Sequence, residues 1–452
     1  MRHEKGKSGW LGWGRKLFWS WWLWVVAAVM VEAAQHGNAA AALAGVGFFF
    51  YLVAPREHVP HYGLDSKYPI DSDEFLASVT GATGVPLIPG NKVSILTDGD
   101  EFYPSMLEAI AGARKTITIE TYIYWNSEIG RHFASALAER RHAGVTVKIL
   151  LDAFGSSSIG RNILKTFKDS CCEVVWYNRM WLRTLANFNQ RNHRKSLIVD
   201  GRIAFTGGAG IADQWTGNAQ DPRHWHDIMI RVEGPGAMKL QTGFAQNWLE
   251  TTGELINGEG FFPSLPDAGG IAVQMLLSSP KSGSSAIRTM YYLSIISARH
   301  TIYISNPYFV PDDSGVQILV EAKKRGVDVK IMVAGTHNDM RISRYASNHL
   351  YGKLLEAGIE IYEYNKTMLH QKTMVVDTSW ITVGTTNFDT RSFALDEESN
   401  VCAYDRKMAE ELEAIFRNDA QSCRRVAFQQ WRHRGFKQRL FGAACVFLKE
   451  QI

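Results

Sequence analysis

Apolar residues along the chain fall into three regimes. Residues 17–31, LFWSWWLWVVAAVMV, carry no charge, and a second apolar run, AAAALAGVGFFFYLVA, follows at 39–54 after Gln35, His36, Gly37 and Asn38. Residues 55–90 then hold Pro55, Pro60, Pro69, Pro86 and Pro89 among scattered Gly and Asp, and read as a connector. From about residue 91, short β-rich runs alternate with amphipathic stretches. IGRHFASALAERRHAG (129–144) predicts a helix with a Gly stop, and VTVKILLD (145–152) a buried strand. DSGVQILVEAKKRG (313–326) and VDVKIMVAG (327–335) repeat that order. Strand–helix–strand alternation argues an α/β fold with a largely central sheet.

A straight membrane span needs roughly 20 apolar residues. Leu17 to Ala34 nearly reaches that, with Glu32 close to its end, and 39–54 is a shorter second candidate. Residues 1–55 are therefore expected to form a retained anchor of one or two transmembrane helices. A cleaved signal peptide and a buried helical hairpin are the alternatives. Six of the fourteen tryptophans fall within 10–24, which suits a membrane interface. The early Lys and Arg residues should stay cytoplasmic. Two crossings then leave the rest of the chain on the cytoplasmic side, and one crossing leaves it outside.

The chain beyond the connector describes itself twice. GARKTITIETYIY (112–124) is answered by SARHTIYISNPYF (297–309), and GVTVKILLD (144–152) by GVDVKIMVA (326–334). EVVWYN (173–178) is answered by EIYEYN (360–365), and HRKSLIVD (193–200) by HQKTMVVD (370–377). The order is the same in both halves. With the break near 261–270, the expected organisation is an anchor (1–55), a linker (56–90), a first domain (91–262), a second domain (263–420) and a tail (421–452).

Candidate chemistry concentrates in the last repeat. NHRKSLIVDGRIAFTGG (192–208) holds His193, Lys195 and Asp200, and His370, Lys372 and Asp377 recur at the same spacing. Gly384-Thr385-Thr386-Asn387 stands where Gly207-Gly208-Ala209-Gly210 stands in the first copy. A solvated strand face has no reason to keep three such residues in register while its neighbours vary, so a paired site is expected. His193 and Lys195 sit at i and i+2 of an extended segment and face the same way. Asp200 has the opposite parity and lies beside Gly201 at a hairpin turn, which suits organising the hairpin better than touching substrate. A lysine ammonium suits a phosphate oxygen. An imidazole can attack phosphorus or carry a proton near neutral pH. With two of each in one pocket, one histidine can attack while the other protonates the leaving group. No metal or other cofactor is expected.

The paired H-x-K-x4-D-x6-G motifs resemble the phospholipase D superfamily. NHRKSLIVDGRIAFTGG, NPYFVPD (306–312) and VGTTNFDTRSFALDEESNV (383–401) resemble, more closely, bacterial cardiolipin synthases. The resemblance implies two duplicated phospholipase D-like α/β halves forming one pseudo-two-fold catalytic unit, preceded by an N-terminal transmembrane helical hairpin. It implies His193 as nucleophile through a phosphohistidine, and His370 as the group that protonates the departing alcohol and deprotonates the incoming one. Lys195, Lys372 and Asn387 would hold the phosphate oxygens, with Gly207, Gly208 and Thr385 beside them, and Asp200 and Asp377 complete the motifs. Asp227 and Glu398 match the carboxylates that orient the histidines, and Glu120, where the other half has Ser305, could line the pocket. One departure stands out: the first copy of the family pattern ends in Asn, and here that place holds Gly210.

The implied reaction is phosphatidyl transfer between two phosphatidylglycerol molecules in a bacterial inner membrane, giving cardiolipin and glycerol. Phospholipid hydrolysis to phosphatidic acid and a non-catalytic membrane scaffold are the alternatives. Composition adds limits. A net charge of +4 over 452 residues gives no support to a nucleic-acid partner. The five cysteines lack C-x-x-C spacing, which argues against a disulfide framework or zinc site. Residues 421–449 mix seven Lys/Arg with aromatics and hold no acid, which fits either an anionic membrane surface or a solvated helix end packed on the domain. His58, His61, His224 and His226 have no matched partners and read as surface or packing residues. Oligomeric state is not legible.

Overall fold

The computed structural model describes residues 68–178, 190–280 and 286–447. The expected anchor, 1–55, lies outside them; among the described residues no helix is long and apolar enough to cross a membrane.

The strands follow the sequence repeat. The first half supplies β1 (Ile88–Thr97), β2 (Thr116–Thr121), β3 (Thr146–Asp152), β4 (Glu173–Tyr177), β5 (Arg191–Asn192), β6 (Ser196–Val199), β7 (Ile203–Gly207) and β8 (Ile228–Glu233). The second supplies β9 (Ile271–Ser278), β10 (Thr301–Ser305), β11 (Asp328–Ala334), β12 (Glu360–Tyr364), β13 (Thr373–Val376), β14 (Trp380–Gly384), β15 (Asp396–Ala403) and β16 (Cys423–Arg425). Outward from the β1–β9 contact, one side reads β1-β8-β7-β6-β2-β3-β4 and the other β9-β15-β14-β13-β10-β11-β12, with β16 as an added edge. The two series are the same pattern, related by a pseudo-two-fold axis. β5 stands apart and pairs in parallel with β15 of the other half.

In each half the outer three strands are parallel and the next ones antiparallel. The parallel crossovers are helices Glu128–His142 and Arg161–Asp169, and Asp313–Lys324 and Arg341–Glu356. The predicted Gly stops sit at positive φ, 91° at Gly144 and 94° at Gly326, where a side chain would be strained. Strands covered on both faces lose polar alternation. All six residues of β2 are buried, as are the last six of β3. Each half has a helix-covered core of its own, and a third core lies between them, built from Ile198, Ala204 and Ile230 of one half and Val375, Ile381 and Val401 of the other.

One stretch is more ordered than its composition predicts, and the tail packs on the domain as one of its two readings allows. Within the expected linker, helix Asp73–Thr83 starts at Ser72, whose hydroxyl accepts the Phe75 N–H, and ends at Gly84. Phe75 and Val79, one turn apart, are buried in the second half's core. Its prolines flank this helix and do not interrupt it, so proline content alone misread the segment. In the tail, β16 pairs with β12, and helix Phe436–Phe447 packs on Arg341–Glu356.

The two hairpins share one device. Asp200 and Gly201 sit at φ 51° and 62°, and Asp377 and Thr378 at 51° and 50°. The Asp200 carboxylate accepts the backbone N–H groups of Arg114, Lys115 and Thr116 at 2.9, 2.7 and 2.8 Å. Asp377 accepts those of Arg299, His300 and Thr301 at 2.7, 2.7 and 2.8 Å. Each aspartate thus pins the start of the neighbouring parallel strand. Asp200→Ala and Asp377→Ala should each cost about 2 kcal/mol of stability through orphaned backbone donors, with turnover per folded molecule retained. Denaturant titration beside an activity assay normalised to folded protein tests this; unchanged stability with lost turnover would move the aspartates into the chemistry.

Candidate active site

Each histidine is carried on a short segment that leaves its own half and docks on the other. The His193 N–H donates to the Glu397 carbonyl in β15 at 3.0 Å, and the His370 N–H to the His226 carbonyl beside β8 at 2.7 Å. The side chains follow the same crossing. His193 Nδ1 lies 3.0 Å from Glu398, and His370 Nδ1 lies 2.7 Å from Asp227. The register confirms that the two carboxylates are counterparts: Gly207 faces Met229 and Gly384 faces Asn400, and each carboxylate lies two residues before that partner.

The glycine-rich ends of the motifs serve these carboxylates and do not reach the cavity. A Cβ on Gly208 would lie 2.2 Å from an Asp227 oxygen. Its counterpart Thr385 donates its hydroxyl to Glu398. Gly207, at φ 157°, lies against the backbone of Ile228 and Met229. These three residues, expected at the substrate, instead shape what stands behind the histidines. Asp200 and Asp377 also lie outside the cavity wall. Glu120 is 1% exposed and holds Asn192, at 2.8 Å, and Asn247, at 2.6 Å, so it braces the residue before His193 and does not line the pocket.

His193, His370, Lys195 and Asn387 converge on one cavity of about 780 Å³. Lys372 is fully buried behind His370, 3.1 Å from its Nε2. Lys195 donates to the His193 carbonyl at 2.9 Å. Burial pushes the ammonium pKa of Lys195 down to about 7 and that of Lys372 to about 8, against the pull of Glu398 and Asp227. Burial and the nearby lysines also hold His193 well below the ordinary imidazole range, and His370 below it. Asp227 stays ionised: burial opposes its charge, but His370 and Lys372 outweigh that. Each imidazole thus has its Nδ1 beside a carboxylate, and burial favours the neutral ring in both.

At the Gly210 position the wall is apolar. A Cβ there would sit 2.9 Å from the Ile123 Cβ, and Ile123 lines the cavity in place of an amide. Asn387 keeps its amide at the wall, and its buried Oδ1 has no hydrogen-bond partner among the described residues. Tyr308, bonded to Asp339 at 2.6 Å, and the Arg391–Asp396 pair complete the wall. Single-residue reasoning did not assign these four roles, although all but Asp339 lie within the quoted NPYFVPD and VGTTNFDTRSFALDEESNV segments.

His226 corrects an expectation. It is 4% exposed and bridges Asp98, at 2.8 Å, and Asp419, at 2.9 Å. Burial works against its charge, but hydrogen bonds to the two carboxylates outweigh that and raise its pKa to about 10. Asp98 also accepts the Asp227 N–H at 3.0 Å, and Asp419 accepts from Gln371 at 3.0 Å. The imidazolium thus ties the Asp227 backbone to the His370 segment. On the other side of the axis the counterpart of His226 is Glu397, paired with Arg194 at 2.6 Å.

Comparison with known proteins agrees with this geometry. The family model for cardiolipin synthase, PLD-like domain, matches residues 106–248 and 292–420. The chain is 32% identical over 417 residues to a cardiolipin synthase of Geobacillus sp. (strain WCH70), covering 86% of this chain and 82% of that one. It is 31% identical over 428 residues to a cardiolipin synthase of Alkalihalophilus pseudofirmus, covering 88% and 85%. Among solved structures, phosphatidylserine synthase from Haemophilus influenzae shares the fold, with a TM-score of 0.65 at 13% identity over 84% of this chain and all of that one. Two crossed histidine–carboxylate pairs on a duplicated sheet, together with these matches over most of the sequence, mean that the chain belongs to the cardiolipin synthase family of PLD-like proteins.

Proposed function

We propose that the chain joins two phosphatidylglycerol molecules into cardiolipin, with His193 as nucleophile and His370 as acid and base. The observation that carries this is the meeting of two carboxylate-oriented imidazoles at one cavity, with Lys195 on its wall and Lys372 buried behind His370. His193 Nε2 attacks phosphorus, the bond to the glycerol headgroup breaks, and protonated His370 gives its proton to the departing oxygen. This leaves a phosphatidyl group on His193. A headgroup hydroxyl of a second phosphatidylglycerol then attacks, His370 takes its proton, the P–N bond breaks, and cardiolipin and glycerol are the products. Lys195, Lys372 and Asn387 stabilise charge on the non-bridging oxygens. Asp227 favours the imidazolium of His370, which a phosphate held beside it favours further. Residues 1–55 would anchor this unit in a bacterial inner membrane, with the cavity on the cytoplasmic side.

Purified protein given labelled phosphatidylglycerol should release cardiolipin and glycerol in equal amounts, followed by mass spectrometry. His193→Ala and His370→Ala should each lower the rate on the order of 10³-fold or more. Phosphatidic acid as sole product would make the protein a hydrolase. The pH profile follows from the shifts. His193 is neutral only above its depressed pKa, and the lysines lose charge as pH rises through about 7 and about 8. A plot of kcat/KM should therefore be bell-shaped, with its acid limb below the ordinary histidine pKa of about 6.5. A flat profile would remove the imidazole–ammonium set from the rate. For topology, a C-terminal tag should be digested by protease added to inverted vesicles; protection there would reverse the orientation.

A further inference from the structure

Helix Phe436–Phe447 and the cavity mouth are joined by one exposed apolar track. Phe436, Leu440 and Phe441 of helix Phe436–Phe447 are 76%, 61% and 53% exposed. The opposite side of that helix is fixed to the domain. Cys445 is buried with Ala346 and Val310, and Gly442 lies against His349 and the Tyr345 carbonyl. The exposed face is therefore a presented surface of a docked helix. Phe441 meets the Tyr345 ring at 4.9 Å, edge to face. Tyr345 lies on the first turn and a half of helix Arg341–Glu356, with Ile342 also exposed. Just before that helix, Met340 is 40% exposed and lines the catalytic cavity. Five helical residues rise about 7.5 Å, so the track from cavity rim to C-terminal helix is short.

Around the C-terminal helix the charges beside this track are basic, and Asp339, next to Met340, is the acid at its cavity end. Arg341, Arg432, Lys437 and Arg439 are exposed, and residues 421–449 contain no acid. Trp431 is tied down by its indole N–H to the Asn348 carbonyl at 2.6 Å, with Arg434 stacked on its ring at 3.9 Å. Contiguous apolar surface of this kind marks an interaction site. Aromatic side chains bordered by exposed cations match the boundary of an anionic bilayer, where rings sit at headgroup depth and Lys and Arg meet lipid phosphates.

We infer that the ridge from Met340 through Tyr345 to Phe436, Leu440 and Phe441 docks on an anionic phospholipid surface and seats the cavity mouth against the lipid. This goes beyond the transfer chemistry, and docking is measured without turnover, so its failure and a failure of the reaction are separate outcomes.

The test is hydrogen exchange by mass spectrometry on the full chain, in detergent, in phosphatidylcholine vesicles, and in vesicles that also contain phosphatidylserine, which stays anionic even if its headgroup is cleaved. Residues 436–447 should exchange more slowly with the anionic vesicles than in either other condition. Phe436→Asp/Leu440→Asp should abolish that protection. It should also slow turnover of vesicle-embedded phosphatidylglycerol on the order of tenfold or more, with turnover of a dispersed short-chain analogue retained. Lys437→Glu/Arg439→Glu keeps the apolar face and should lose only the preference for anionic lipid. Equal exchange in neutral and anionic vesicles would overturn the inference. So would protection in detergent that grows with protein concentration, which would make the ridge a contact between copies of the chain.

Discussion

Every feature of the site depends on one constraint: each imidazole is oriented by a carboxylate from the opposite half. Glu398 can hold His193 only if β15 stands beside the segment that leaves β5, and Asp227 can hold His370 only if β8 stands beside its counterpart. Neither half alone completes even one histidine–carboxylate pair. The apolar core between the halves therefore does more than stabilise. It keeps two strand registers in phase, and a slip of one residue would turn each carboxylate to the wrong face. Gly208 and Thr385 belong to the same constraint, one by leaving room for Asp227 and the other by bonding Glu398.

The electrostatics follow from that architecture. Among the described residues neither buried lysine, Lys195 or Lys372, has a direct carboxylate partner, and each donates to the carbonyl of its own motif's histidine. An ammonium in this position is costly until an anion arrives. Burial thus inclines both lysines to lose their protons, and a phosphodiester between them would draw those protons back. Binding should be accompanied by proton uptake near neutral pH, a coupling that a surface lysine pair would not show.

Much of this was legible in the sequence because the duplication keeps chemistry in register while packing residues drift. The strand–helix alternation, the two His–Lys pairs and both orienting carboxylates are readable from spacing and resemblance. The crossing of those carboxylates is not, since it arises from strands brought together by the axis and leaves no local pattern. His226 was missed because its partners, Asp98 and Asp419, are remote in sequence on either side. Glu120 reads as a pocket residue because it stands where the other half has Ser305, yet Asn192 and Asn247 claim it. The linker helix was hidden by prolines that bracket it.

The two clamps beside the histidines carry a consequence for how the halves recognise each other. Arg194 and Gln371 are counterparts, as are Glu397 and His226, and the charges are reversed across the axis: a cation follows the first histidine and meets an anion, whereas a neutral amide follows the second and meets a cation through Asp419. Two copies of the first half placed about the same axis would set Arg194 against charged His226, cation against cation. Two copies of the second would leave Glu397 facing an uncharged amide. Only unlike halves set a cation against an anion at one clamp and a charged imidazole against a carboxylate and amide at the other, so the two halves are distinct partners within one chain.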